Sequence, residues 1–201
     1  MVTIIDYGAG NLKSVQKAFE HLGETVLVTS DKAQIQKAKK LVFPGQGAFG
    51  FGMSELQKKD LIQPIKDHIL AKKPFLGICL GFQLLFESSE EDTSQKGLGI
   101  FKGTVKAFQK ENLKIPHMGW NNIHITKDEK GYFSSLSDPH VYFVHSFYVD
   151  TSDTDIISTT TEYGHSFVSS IQTPYLLATQ FHPEKSGDVG LSILRTFIDA
   201  Y

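Results

Sequence analysis

The chain has 201 residues, 20 Lys+Arg against 22 Asp+Glu and a formal charge of −2, a balance without the basic stripe that nucleic-acid binding requires. Its 40% hydrophobic and 21% charged content excludes the composition of a disordered segment and suits one domain, residues 1–201. No apolar run approaches the roughly 20 residues of a membrane-spanning helix, and the start MVTIIDYGAGN has no secretory-signal pattern, so no membrane partner and a cytoplasmic location are predicted.

Taken in chain order, Thr3–Tyr7 reads as a β-branched strand, GAGN as a turn, and Asn11 as the N-cap of a helix ending near Gly23. Leu12, Val15, Phe19 and Leu22 give that helix one apolar stripe. Strands are predicted at Thr25–Thr29 and Leu41–Phe43 around a short helix, Asp31–Ala38. The segment PGQGAFGFG reads as a Gly-rich loop leading to helical segments that end near Lys72, and Pro74–Ile78 as a strand buried on both faces. Strand and helix alternating in this way predict parallel pairing in an open α/β sheet.

After Leu85 the texture changes. ESSEEDTSQKG reads as an exposed acidic connection. Strand-like runs follow at Gly99–Phe108, Asn121–Thr126, Val141–Val149, Ile156–Thr161, Ser166–Ile171 and Leu176–Gln180, dense enough to predict antiparallel additions to the sheet. A helix over Asp188–Ala200 carries Leu191, Leu194, Phe197 and Ile198 on its apolar face.

Cys79 is the one cysteine, so no intramolecular disulfide forms. A lone cysteine is most often core packing, but this one sits in Gly77-Ile78-Cys79-Leu80-Gly81, between the Pro74–Ile78 strand and Phe82–Phe86, which reads as a helix. That is the Gly-x-nucleophile-x-Gly elbow, whose glycines admit a sharp strand-to-helix turn. A helix N-terminus beside the sulfur would favour thiolate over thiol. Of eight histidines, His182 stands out: it follows the Leu176–Gln180 strand, and Pro183 biases it toward an extended conformation. Glu184 is placed to orient the imidazole, giving nucleophile, base and carboxylate in the order Cys79, His182, Glu184. Oxyanion donors would be the Leu80 N–H and the Phe43-Pro44-Gly45-Gln46-Gly47 loop.

Two other signals fail. Gly8-Ala9-Gly10 would open a dinucleotide fingerprint, but Lys13 stands where its third glycine belongs. There is no His-Glu-x-x-His spacing and no second thiol, so no metal site is predicted.

PGQG, GICLGFQLLFE and FHPEKSG together resemble the class I, triad-type glutamine amidotransferases. Within them, IDYGAGNL, PHMGWN, YFVHSF, TEYG and Lys185 after the triad glutamate are similar to the glutaminase subunits of imidazole glycerol phosphate synthases. The resemblance implies an open, mostly parallel sheet flanked by helices and hydrolysis of glutamine to glutamate and ammonia without a cofactor. It also implies delivery of ammonia to a (β/α)8-barrel cyclase in histidine biosynthesis. By position it implies Cys79, His182 and Glu184 as the triad; Gly45, Gln46 and Leu80 at the oxyanion; Gln83, Glu87, His145, Ser146 and Phe147 holding glutamine; and Asn11, Trp120, Tyr142 and Lys185 facing the cyclase. Gln46 stands where that family often has a small or aliphatic residue. A glutaminase subunit of another synthase and a DJ-1-like cysteine hydrolase are the alternative readings.

Glycines on both sides of Gln46 make rotation of its peptide cheap. This predicts a resting loop that points a carbonyl into the oxyanion position, and a flipped loop when a liganded partner docks.

Overall fold

Short β-branched and aromatic runs form the parallel half of the sheet because both of their faces are covered. The computed structural model describes residues 1–109, 113–134, 136 and 139–201. In the first half, β1 (Val2–Ile5), β2 (Val26–Thr29), β3 (Leu41–Phe43) and β4 (Phe75–Ile78) alternate with α1 (Leu12–His21), α2 (Lys32–Lys37), α3 (Phe49–Lys58) and α4 (Ile62–Leu70). A single helical turn, α5 (Leu80–Gln83), follows β4. The second half holds β5 (Ser88–Ser89), β6 (Thr104–Ala107), β7 (His117–Asn122), β8 (His124–Ile125), β9 (His140–His145), β10 (Phe147–Asp150), β11 (Ile157–Glu162), β12 (Ser166–Thr173) and β13 (Leu176–Thr179), then α6 (Gly187–Asp199).

Along the main path of the sheet the order is β2-β1-β3-β4-β13-β12-β10-β6-β5, with β11 and β8 attached through β12. From β2 to β13 every pairing is parallel; β13-β12, β12-β10 and β10-β6 are then antiparallel, and β5 pairs parallel to β6 at the edge. The open sheet with antiparallel additions is therefore the one the sequence predicts. Its strands send alternate residues to two cores. Leu41, Phe43, Leu176 and Ala178 pack on one side with Ile35, Phe49 and Leu56; Val42, Leu76 and Leu177 pack on the other with Val15 and Phe19 of α1 and Leu194 and Phe197 of α6. Burial on both faces is what makes these strands read as unbroken apolar runs.

Four local expectations are corrected. Asn11 stands before α1 but makes no side-chain bond to the helix backbone; its Nδ2 donates to Ser14 Oγ at 2.8 Å. The PGQGAFGFG loop ends at Ala48, and the FGFG portion is already the first turn of α3. Its glycines are set by proximity: a Cβ on Gly50 would lie 2.0 Å from Asp92 Oδ2, and one on Gly52 3.1 Å from Leu84 Cδ1. The acidic connection is not wholly solvated, since Ser89 is buried and Glu91 Oε2 accepts from the Phe49 N–H at 2.7 Å, capping α3. Finally, Val141–Val149 is two strands. It breaks at Ser146, with β9 leaving to pair with β7 in a separate two-stranded sheet and β10 staying in the main one.

Candidate active site

Three adjacent parallel strands end side by side and deliver the site. In β3 Phe43 is in register with Gly77 of β4, and Ile78 of β4 with Thr179 of β13. The loop after β3, the elbow after β4 and the segment after β13 thus emerge together at the carboxyl edge, where open α/β sheets bind ligands. The Cys79 N–H donates to Thr179 O at 2.7 Å, and the His182 N–H to Tyr142 O at 2.9 Å.

Cys79 has φ 53° and ψ −105°, a strained conformation for a residue with a side chain. Its two flanking glycines are required by close approach. A Cβ on Gly81 would lie 1.8 Å from Phe43 O, and one on Gly77 would press on Ala178 and on Gly81 at 3.2 Å. The helix expected over Phe82–Phe86 is shorter than predicted. After α5 the Leu85 and Phe86 N–H groups bond three residues back, to Phe82 O and Gln83 O, which ends the α-helix at Gln83. One turn aligns few peptide dipoles, so the charge effect expected from a helix N-terminus is small here.

Beside the elbow, His182 is buried and its Nδ1 lies 2.8 Å from Glu184 Oε1, itself on a buried side chain. Burial alone would lower His182; the charge of an ionised Cys79 and the Glu184 carboxylate outweigh it and push the ring up to about 10. Its Nε2 has no partner within full hydrogen-bond geometry, and Cys79 raises the ring first through charge and then through a looser hydrogen-bonding contact. Tyr7, beneath the same site, is pushed upward by burial and then by the Cys79 charge, and its hydroxyl also finds no partner.

An open cavity of about 430 Å³ lies over the thiol, lined by Gln46, Leu80, Gln83, His145, Ser146 and Phe147 among others. The Gly45 carbonyl accepts from the Leu80 N–H at 3.4 Å. Glu87 is not among the lining residues; it is exposed, and its Oε2 accepts from the Gly103 N–H at 3.1 Å. Trp120 and Tyr142 are register partners on β7 and β9 with rings 6.1 Å apart, and Lys185 Nζ lies 6.0 Å from the Tyr142 ring centroid. Asn11 is exposed ahead of α1, which packs on the Pro183–Lys185 turn.

The hydrogen bonds around the cavity settle the tautomers of a buried histidine pair. Phe147 O can only accept, so His145 Nδ1, 2.7 Å away, carries the proton and its Nε2 accepts. His117 Nδ1, 2.9 Å from that Nε2, is then the donor, and its own Nε2 accepts from Asn121 Nδ2 at 3.3 Å. Burial, first of all, holds both rings neutral, His117 at about 4 and His145 at about 3. The sequence reading missed Gln180, which is fully buried with Nε2 3.7 Å from Cys79 Sγ. Its spacing was the available signal: Gln180 and His182 are two apart, the distance that places extended residues on one face. Among the described residues no group of three or more His, Cys, Asp or Glu side chains could hold a metal ion, and no helix is long and apolar enough to cross a membrane.

The family model for class-I glutamine amidotransferases matches residues 3–200. A relative from Rhodopirellula baltica named imidazole glycerol phosphate synthase subunit HisH is 46% identical, covering 100% of this chain and 98% of its own. The chloroplastic imidazole glycerol phosphate synthase hisHF of Arabidopsis thaliana is 45% identical over 98% of this chain and 34% of its own length. A crystal structure of a glutamine amidotransferase shares the fold with a TM-score of 0.77 at 15% identity, covering 100% of this chain and 98% of the other. With its three strand ends, its elbow cysteine and these full-length matches, the chain belongs to the class-I glutamine amidotransferase family.

Proposed function

We propose that the chain is the glutaminase subunit of imidazole glycerol phosphate synthase, hydrolysing glutamine and passing ammonia to a (β/α)8-barrel cyclase in histidine biosynthesis. The observation that carries the reading is a thiol and a carboxylate-oriented imidazole at neighbouring strand ends under a cavity of glutamine-accommodating size. The Cys79 thiolate attacks the side-chain carboxamide carbon, and the tetrahedral oxyanion is held by backbone N–H groups at Leu80 and the Gly45-Gln46 peptide. As the C–N bond breaks, protonated His182 supplies the proton that releases ammonia. The same ring then takes a proton from water, which attacks the thioester and frees glutamate and the thiol. Gln83, His145, Ser146 and Phe147, which line the cavity, hold the substrate; Glu87 is exposed outside that lining, with its carboxylate on the Gly103 N–H.

The Gly45 carbonyl bonded to Leu80 N–H supports a resting loop: the donor that the oxyanion needs is occupied until the peptide rotates. Exposed Met118 and Trp120, two apart on β7, with Tyr142 and Lys185 beside them, supply an apolar and basic face for the cyclase, with Asn11 at its margin. The Arabidopsis relative, of which this chain matches 34%, supports a synthase partner, there carried on one polypeptide.

Replacing Cys79 by Ala and assaying the reconstituted complex tests the reading. Synthesis driven by glutamine is lost, by about 10⁴-fold or more, while synthesis driven by ammonium salt continues. Glutamine-driven synthesis that survives the substitution removes Cys79 from the mechanism.

A further inference from the structure

Gln180 is the first residue past β13, and its backbone N–H is fixed by Ser169 O at 2.8 Å. Its side chain is wholly enclosed, and each of its polar ends meets a different member of the site. Which end faces which can be deduced from the network. Phe147 O can only accept, so the Gln83 atom 3.0 Å from it is Nε2. That same Nε2 lies 2.9 Å from the Gln180 amide, so the Gln180 atom facing it must be the acceptor Oε1. The Gln180 Nε2 is then the atom turned to the sulfur, 3.7 Å from Cys79 Sγ.

We propose that Gln180 is a positioning residue for the glutaminase reaction, stabilising the ionised sulfur through Nε2 and fixing the Gln83 amide through Oε1. The proposal rests on the glutaminase reading. The thiol has a separate acceptor for its own proton, Val144 O at 4.0 Å; once the thiol is ionised, Gln180 is a donor already in place. Because both N–H groups of Gln83 are consumed by Phe147 O and Gln180 Oε1, Gln83 is held in one orientation, with its Oε1 left for substrate. A carboxamide is a neutral side chain that donates to sulfur at one end and accepts from Gln83 at the other.

Gln180→Met and Gln180→Glu separate the two contributions. Alkylation of Cys79 by iodoacetamide, in which the thiolate displaces iodide, is followed against pH in the free chain. Turnover of glutamine is measured in the complex with the cyclase. Gln180→Met removes donor and acceptor together: the alkylation midpoint rises by about one pH unit, kcat near neutral pH falls about tenfold and KM rises. Gln180→Glu keeps an acceptor for Gln83 and turns a carboxylate toward the sulfur: KM stays within about twofold of the parent, whereas the alkylation midpoint rises further than in Gln180→Met. Folding is checked by the thermal transition, and the near-isosteric Glu variant stands in if Met unfolds the chain. An unmoved alkylation midpoint in a folded variant overturns the assignment. Absence of glutamine turnover in the parent overturns the glutaminase reading instead, and the alkylation profile judges Gln180 in either case.

Discussion

Cys79 and its neighbours show how tightly one residue's chemistry is bound to backbone geometry. The positive φ of 53° costs on the order of 1–3 kcal/mol, and it is enforced by β3 and β4 packing so closely that Gly81 touches the Phe43 carbonyl. Gly81→Ala forces that carbonyl away and is expected to destabilise the fold by more than about 3 kcal/mol, read as a drop in the denaturant midpoint. Tyr7→Phe has the opposite sign: its hydroxyl is buried beside Gly45 without a partner, so deleting it leaves unfolding free energy unchanged or raised by about 1 kcal/mol. Urea titration of the two single variants checks both.

At the scale of elements, α3 begins where the oxyanion loop ends, and its first turn depends on a residue forty-two positions away in sequence, Glu91. Glu91→Ala leaves the Phe49 N–H without this acceptor and is expected to cost about 1 kcal/mol, with hydrogen exchange fastest in the first turn of α3. This contact also shows where sequence legibility stops. The elbow, the strand before it and the His182 segment are local patterns, visible in five to eight consecutive residues. The capping carboxylate, the glycines of α3 that fit against Asp92 and Leu84, and the departure of β9 to pair with β7 are set by distant partners. No local period encodes them, so FGFG read as loop, and Val141–Val149 as one strand. For Gln180 the two-residue spacing from His182 marks the face of the strand, but its role is set by the distant partners Cys79 and Gln83.

The whole molecule couples stability to acidity through buried imidazoles. His68, held down to about 4 mainly by burial, joins His117 and His145 as rings that stay neutral in the folded chain and titrate near 6.5 once unfolded. Between pH 6.5 and about 4 the unfolded chain therefore binds more protons, so unfolding free energy falls as pH is lowered. The slope is at most about 1.4 kcal/mol per pH unit for each ring. His182, held up to about 10 in the folded chain, opposes this slope near pH 6.5 and contributes nothing once the unfolded ring is fully protonated, about one pH unit lower. Urea unfolding at half-unit pH steps measures it, and His68→Gln is expected to reduce the slope by one ring's share; an equal slope in that variant removes His68 from the set.

The side-by-side ends of β4 and β13 have a consequence for biosynthesis. Cys79 and Gln180 are 101 positions apart, so the pairing that brings sulfur, amide and imidazole together closes a long loop and forms late in folding. A nascent chain that has already made β1 to β4 displays its cysteine with neither His182 nor Gln180 beside it. Its reactivity toward electrophiles is thus that of an ordinary thiol until synthesis has passed Glu184 and β13 has inserted between β4 and β12.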